Sequence, residues 1–561
     1  MTGRPVSDGK AGDGKAGDGS AGDGEASDGK ASDGSAGERS AGGRAGLLRQ
    51  SGLGSAAAAL AIATGLLLDV VIAARYGAGR TSDAFFVGAR VPLGLTVLVL
   101  SSSTNVLVPT FRLWLTRDGH DTGRLVGAVL TGVVAVALAV AALGVLLAQP
   151  LVDLTAPGLD EGTRRLAAGV ARVMFLLVPL VAAAEVLRSL LNASSSVVLP
   201  AVMHVAVNVV AAAVVVGVPG TDPRAIALGY LCGAVVQLAV MAAGVHHRGV
   251  RLRPGSPWAE PEVRAAGSRA GRTLSSSSLQ LLARIAEQAL VSFLPAGSVT
   301  VVAYASRLTS AIGGGVFFRS VVVALLPRLT DAHARGDERD GAAVLGLGVR
   351  VMLGLSLPMT AALAALGPPA AVLLFRRGAF DAGDARLLGL LLAVSSLSLV
   401  GAGLQRALLA AFTSRLDTTT FLRNTVYGVA VNVALLLPLA VVADGAGSRA
   451  AVAVPAAYAV AQLVNVLHAA ARLRRGLGVR LPGAASFGLR VALASAGAAA
   501  ACLAVGLATG LYDAEAARGA LALRLVLAGA VLGLVLLVGL RLLARPELRG
   551  SIAGLRRRSS G

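Results

Sequence analysis

The sequence predicts an all-α polytopic membrane protein, with about fourteen transmembrane helices in two six-helix lobes plus two C-terminal helices. Three observations carry that prediction. Apolar stretches follow one another from Gly54 to Leu543, each near the roughly 20 residues that a helix needs to cross about 30 Å of hydrocarbon. Hydrophobic residues make up 55% of the 561 residues and charged ones only 15%, whereas a soluble chain of this length splits into domains with charged surfaces. Arginines crowd alternate loops, as in a chain that re-crosses a bilayer. Within hydrocarbon only helices or closed barrels satisfy their backbone, and stretches of this length fit helices. The 70 glycines suit close helix packing in a membrane.

In chain order, residues 1–45 come first and differ in kind. Asp8-Gly9-Lys10-Ala11-Gly12 recurs in variants at a spacing of five, as in Asp13-Gly14-Lys15 and Asp28-Gly29-Lys30. With almost no large apolar residue, this stretch buries too little to offset its chain entropy, so a disordered cytoplasmic tail is expected. It lacks the apolar core of about 7–15 residues that marks a signal peptide. Spans are then expected at 54–76, 84–108, 124–149, 166–191, 197–217, 224–246, 272–295, 299–327, 342–367, 385–412, 420–442, 450–472, 486–511 and 519–543. The most polar, 272–295, contains Arg272, Arg284 and Glu287. Residues 54–246 make the expected N-terminal lobe, 272–472 the C-terminal lobe, 486–543 an appended pair, and 544–561 a basic tail. A weak internal echo supports the division: span 2 ends in Val108-Pro109-Thr110-Phe111-Arg112 and span 8 in Leu326-Pro327-Arg328-Leu329. Internal repeats are common in secondary transporters, whose substrate sits between the halves.

Orientation follows from the arginines, which concentrate in loops retained in the cytoplasm. The second loop holds Arg112, Arg117 and Arg124, and the sixth Arg248, Arg251, Arg253, Arg264, Arg269 and Arg272. The eighth holds Arg328, Arg335 and Arg339, the twelfth Arg472, Arg474, Arg475 and Arg480, and the tail ends in Arg556-Arg557-Arg558. Odd-numbered loops carry Asp153, Asp160, Glu161, Asp222, Asp444 and Asp513. The ninth is an exception, with Arg376, Arg377 and Arg386 beside Asp381 and Asp384. Both termini are therefore expected in the cytoplasm, which an even number of spans also requires.

Several function classes fall away. The net charge of +20 comes almost wholly from arginines at helix ends, not from one soluble basic face, so nucleic acid is not an expected partner. Cys232 and Cys502 lie inside apolar stretches and offer neither a disulfide framework nor metal-ligand spacing. No Gly-rich phosphate loop ending in Lys-Ser/Thr and no His-Glu-x-x-His occurs. His204 and His468 stand alone in apolar runs. No cofactor, metal or catalytic triad is expected, and the chain does not itself couple transport to ATP.

The informative residues are charges inside spans, which cost several kcal/mol facing lipid and so face a cavity or a partner. Arg284 and Glu287 share a face of span 7. Arg307 lies near the start of span 8, with Arg319 about three turns on and roughly on the same side. Asp69 sits in span 1, Asp83 opens span 2, Arg90 precedes Pro92 in span 2, and Arg172 and Glu185 lie in span 4. One reading is a cationic cavity between the halves. Arginine suits phosphate there, because its planar fork donates two parallel hydrogen bonds and stays charged. The other reading is internal ion pairing, with Arg284 and Glu287 silent partners.

These residues stand among motifs that resemble a known family. Tyr76-Gly77-Ala78-Gly79, Ser82-Asp83-Ala84-Phe85-Phe86-Val87, Arg90-Val91-Pro92 and Val108-Pro109-Thr110-Phe111 are similar to the start of the MurJ/MviN lipid II flippases. That family belongs to the multidrug/oligosaccharidyl-lipid/polysaccharide exporter superfamily. The likeness continues through Leu154-Thr155-Ala156-Pro157-Gly158, Leu191-Asn192 with Pro200, Ala296-Gly297-Ser298, Tyr304-Ala305-Ser306-Arg307-Leu308 and Leu326-Pro327. It extends to Leu374-Phe375-Arg376-Arg377-Gly378-Ala379-Phe380, Arg406, Ala411-Phe412 and Asp417-Thr418. The motifs keep their order over residues 54–425.

The resemblance implies a flippase of the bacterial plasma (inner) membrane that carries lipid-linked peptidoglycan precursor from the inner to the outer leaflet by alternating access. Its substrate would be undecaprenyl pyrophosphate bearing a muropeptide, within membrane lipid, and cell-wall synthesis proteins are the protein partners it suggests. By the resemblance Arg307 faces a central cavity, Asp83 is a functional acid and Asp69 matches a family position. Spans 13 and 14 form a groove for the lipid tail. Membrane potential, and in some members a sodium ion, drives transport, with Glu287 the position for coupling. Arg90, Arg284 and Arg319, read from their charge inside spans, complete the expected substrate-binding set, a role that no family motif assigns them. The chain departs from the family at Ile62, Leu68 and Thr96, where arginines are usual, and has Ser101-Ser102-Ser103 where the family has a polar run with a Glu-Gly pair. Those departures keep open a flippase for another polyprenyl-linked polysaccharide unit, and a non-transporting scaffold for cell-wall synthesis. A cation-coupled drug exporter on the same fold would be expected to show a more acidic cavity.

Overall fold

A computed structural model of the chain describes residues 56–543, apart from 58, 117–120, 195–197, 315, 416, 440, 442–446, 479–480 and 482, and apart from the side chains at 198, 200–201, 272–277, 314, 316–317, 319, 418 and 476–477. The expected tails at 1–45 and 544–561 lie outside the described residues. Among the described residues the structure is helical, with one isolated bridge between Arg377 and Phe380.

The helices are α1 (Ala59–Tyr76), α2 (Arg80–Thr116), α3 (Thr122–Leu146), α4 (Ala148–Thr155), α5 (Glu161–Ala193), α6 (Val198–Gly217), α7 (Arg224–His246) and α8 (Pro261–Val291). They continue as α9 (Ser298–Gly314), α10 (Val316–Ala334), α11 (Glu338–Phe375), α12 (Ala382–Thr413), α13 (Thr418–Leu436), α14 (Ala453–Leu477), α15 (Ala484–Thr509) and α16 (Arg518–Leu543). With α4 a short helix beside the bundle and α9–α10 a single crossing, the fourteen expected traverses are present. Ten helices among the described residues are long and apolar enough to span a bilayer. α8 and α13 are not among them: α8 carries Arg264, Arg269, Arg284 and Glu287, and α13 carries Arg423, Asn424 and Asn432. A span of that composition is stable where its polar side turns inward.

Local chemistry sets where helices start and break. Five of them begin at an aspartate whose carboxylate accepts a backbone N–H three residues on: Asp121, Asp160, Asp337, Asp381 and Asp417. α8 starts at Pro261, eleven residues before the expected 272, because proline favours the first helical position and a polar helical turn adds nothing to an apolar window. Span 8 is described as α9 and α10, on either side of residue 315, which lies outside the described residues. α5 breaks at Leu176, three residues before Pro179, which has no N–H and crowds the carbonyl four residues back. α2 widens into a π-turn at Ser103–Leu107, just before Pro109, a common way for a helix to absorb such a residue.

In the first lobe α2 packs on α5, α6 on α7, and the second half of α5 on α3 and α7. In the second lobe α11, α12, α13 and α14 pack in sequence, with α9 against α12 and α10 against α11. α15 and α16 pair with each other and rest on α11. α8 is the seam, touching α2 and α4 on one side and α13 on the other.

The end of the bundle that carries the odd-numbered loops is closed by backbone-level contacts between the lobes. The amide of Ala379 donates to the Ala74 carbonyl at 2.8 Å, and the amide of Gly158 donates to the Ser292 hydroxyl at 3.0 Å. Gly378 (φ +57°) takes the left-handed region and lies so near Ala74 that a Cβ would strike its carbonyl oxygen. Gly297 (φ +92°) is likewise left-handed, and a Cβ there would come within 2.6 Å of the Ala78 carbonyl oxygen. Such conformations suit glycine. The motifs 76–79, 296–298 and 376–380 of the sequence thus meet in one place.

Candidate functional site

Beneath that closure Asp83 is buried at the start of α2 and reaches across to α9. One carboxylate oxygen accepts the Gly297 amide at 2.6 Å, and the other accepts the Thr300 amide at 2.8 Å and the Thr300 hydroxyl at 2.6 Å. This is a helix cap supplied by another helix, with a negative charge on the positive end of α9. Both oxygens of Asp83 are engaged in joining the lobes.

Two turns along α9 stands Arg307. Its guanidinium donates to Asp69 of α1 at 2.6 Å and stacks over Phe86 of α2 at 5.0 Å from the ring centre. This pair also bridges the lobes, and Asp69 is buried while Arg307 is half-buried. Arg90 of α2 donates through Nε to Gln288 of α8 at 2.7 Å. The next residue back, Glu287, accepts from Arg284 at 3.4 Å. Arg284 in turn lies over Tyr458 of α14, 5.3 Å from the ring centre. α8 therefore carries Gln288 toward the first lobe and the Arg284–Glu287 pair toward the second.

That second side opens on a cavity of about 560 Å³ between α8, α10, α12, α13 and α14. Arg284, Glu287, Arg406, Asn432, Gln462 and Asn465 are among its lining residues. Arg406 donates to the Gly313 carbonyl at 3.4 Å and lies over Phe318 at 5.6 Å. The cavity runs toward Thr413 and Phe421, beside the tenth loop.

Of the expected site residues, Asp69 and Arg307 meet directly, Arg284 and Glu287 meet, and Arg90 joins the seam through Gln288. Asp83 stands apart in the closure. The Arg319 side chain lies outside the described residues. Glu185 pairs with Arg188 on its own helix, and Arg172 lines a basin with Arg164, Arg165 and Arg224. His468, which stands alone in an apolar run of the sequence, sits 3.0 Å from the Asn424 side chain. Sequence reasoning from charge missed the amides. Their signal is there: Tyr458, Gln462 and Asn465 recur at three- and four-residue spacing on α14, as do Thr425, Gly428 and Asn432 on α13.

The family model described as "Lipid II flippase MurJ" matches residues 72–527. The chain belongs to the MurJ family of lipid II flippases. Among curated MurJ relatives, the probable lipid II flippase MurJ of Rhizobium meliloti (strain 1021) is 28% identical over 417 residues, covering 72% of this chain and 76% of that protein. The lipid II flippase MurJ of Burkholderia cenocepacia is 30% identical over 372 residues, 64% of this chain and 71% of that one. A solved lipid II flippase MurJ in an inward closed conformation superposes with a TM-score of 0.72 at 18% identity, covering 88% of this chain and 99% of that one. An inward-facing multidrug resistance MATE family transporter shares the fold more distantly, with a TM-score of 0.59 at 15% identity over 73% and 94%. The MurJ match takes in Asp83, Arg90, Arg284, Glu287 and Arg307, and begins three residues after Asp69. The MurJ family consists of transporters, not enzymes.

Proposed function

We propose that this chain translocates lipid II, a polyprenyl pyrophosphate bearing a muropeptide, from the inner to the outer leaflet of the bacterial plasma membrane by alternating access. The observation that carries this reading is the Arg307–Asp69 pair, bridging the lobes beneath their closed end in a chain that matches MurJ over 72–527. The closed end faces outward, since the odd-numbered loops carry few of the arginines that mark cytoplasmic loops, and both termini lie in the cytoplasm.

The chemistry follows from the geometry. A polar head group cannot cross hydrocarbon unaided, so it enters between the lobes from the cytoplasmic side. Its phosphates compete with Asp69 for the Arg307 guanidinium, which donates through one nitrogen to the carboxylate and can grip a phosphate with two. Displacing Asp69 removes one tie between the lobes. Releasing the Asp83 cap on α9 removes another, and the outer end then opens. The polyprenyl tail stays in the bilayer along α15 and α16. Arg90 and Arg284 flank the path, with Glu287 the position for ion coupling.

A specific observation favours a second reading, a flippase for another polyprenyl-linked glycan. Leu68, one of the positions where MurJ arginines are expected, is buried in apolar packing, and Thr96 is satisfied by the Leu93 carbonyl. The test is complementation of a bacterium depleted of its resident lipid II flippase. Rescue by the wild type, lost in a normally expressed Arg307→Ala variant, is expected. No rescue by a correctly inserted wild type would overturn lipid II as the substrate in favour of another lipid-linked glycan or of a scaffold.

A further inference from the structure

Three amide side chains line the C-terminal-lobe cavity with an oxygen that lacks a partner. Asn432, Gln462 and Asn465 are 6%, 8% and 5% exposed, and Asn432 Oδ1, Gln462 Oε1 and Asn465 Oδ1 accept no hydrogen bond among the described residues. Buried amides are ordinarily satisfied, and each exception calls for a ligand, a water or a cost in stability. Three such acceptors on the facing sides of two helices form a site built for a donor-rich guest.

The packing is shaped around them. A Cβ on Gly428 of α13 would come within 2.8 Å of the Asn465 Cγ, and one on Gly401 of α12 within 2.6 Å of the Gln462 Cβ. Both glycines make room for α14 to press its amide stripe into the cavity. The volume of about 560 Å³ falls in the range of small-molecule sites, roughly 300–1,000 Å³.

Charge narrows the guest. Arg284 and Arg406 line the cavity and Glu287 is the single acid among its lining residues. Arg284 is paired with Glu287, while Arg406 has no carboxylate partner among the described residues. The excess is positive, which suits a neutral or anionic guest. Acceptors from the amides and donors from the guanidinium groups match a molecule whose groups both give and take hydrogen bonds, as sugar hydroxyls and acetamido groups do. The Tyr458 ring adds a flat surface. Position narrows it further, because α8 joins this cavity to the seam: Glu287 lines it, and Gln288 beside it holds Arg90.

We propose that this amide-lined cavity is a glycan subsite, which takes the sugar portion of the head group while the cations at the lobe seam hold its phosphates. The inference rests on the lipid-linked-glycan reading above and adds to it a place for the sugars, on residues separate from Arg307.

The experiment compares two probes on the full chain in nanodiscs: farnesyl pyrophosphate, and a farnesyl-chain lipid II analogue that adds the sugars and peptide. The double variant Gln462→Leu/Asn465→Leu removes two acceptors at similar volume. It is expected to bind the glycan-bearing probe at least tenfold more weakly and farnesyl pyrophosphate within twofold of wild type. Gly428→Ala, which displaces the Asn465 amide and keeps every polar group, is expected to shift the two probes in the same way. A Thr425→Cys chain, labelled at the cavity wall, is expected to be protected from maleimide by the glycan-bearing probe and not by farnesyl pyrophosphate. Equal loss for both probes, or unchanged binding of the glycan-bearing one, would overturn the subsite. Wild type that binds neither probe would overturn the lipid-linked-glycan reading itself, and the subsite with it.

Discussion

Asp83 does at residue scale what a gate needs at molecular scale. A buried carboxylate that accepts three donors from the start of another helix is strong while closed, and its loss leaves two buried amides unpaired. An unsatisfied buried donor costs about 1–3 kcal/mol, and about 1.4 kcal/mol is a factor of ten in an equilibrium. Asp83→Asn keeps an acceptor of similar shape but gives up the charge and one acceptor oxygen. Amide hydrogen exchange at Gly297 and Thr300 is therefore expected to quicken on the order of tenfold in this variant, with helices remote from the closure unchanged. Unchanged exchange at both amides would show that Asp83 does not hold α9. The Arg307–Asp69 pair follows the same logic, since by the proposed mechanism a phosphate takes the place of the carboxylate. Truncating Arg307 would strand the buried Asp69 charge.

At the scale of elements, the aspartates that start helices tie the fold to pH. Asp160 accepts the Thr163 hydroxyl at 2.7 Å and its amide at 3.0 Å, and Asp417 accepts the Thr420 amide at 3.0 Å. The threonine hydroxyl first, and the backbone amide second, hold both carboxyls below the ordinary carboxylate range. A folded-state value below the unfolded one stabilises the protein above the unfolded value, about 3.9 for aspartate, and that gain is lost as pH falls through the depressed value. Replacing a cap by alanine costs about 1 kcal/mol. The Tm deficit of Asp160→Ala/Asp417→Ala is thus expected in full at pH 7 and to narrow as pH falls below about 4. A deficit that does not change with pH would mean that the caps act through shape alone. The crossings were legible in the sequence, because hydropathy registers both apolar length and its interruptions. What hydropathy cannot register is a polar turn that stays helical, so α8 begins at Pro261 and not at 272. Nor does it show what a side chain faces. The charges of spans 7 and 8 stood out one by one, whereas the amides of α13 and α14 come together only through packing, with Gly428 of α13 and Gly401 of α12 making room for α14.

For the whole molecule the contrast between the two ends decides the direction of access. At the odd-loop end the backbones interlock through Gly378 and Gly297, and Asp83 fastens α2 to α9. Toward the other end the cavity beside α8 passes Gln280 and reaches Thr413 and Phe421 at the tenth loop. If the arginine-rich loops are cytoplasmic, a reagent that cannot cross the membrane should reach the cavity from the cytoplasm alone. A Gln280→Cys chain with Cys232 and Cys502 replaced is expected to label in inside-out vesicles and to resist labelling in right-side-out ones. Adding Asp83→Asn should raise labelling from the outside, because a weaker cap on α9 shifts population toward the outward-open state by the free energy that the closed state loses. Labelling from the outside alone would reverse the orientation. Equal labelling from both sides, with or without Asp83, would mean that the cavity is a passage without a gate, and alternating access would fall with it.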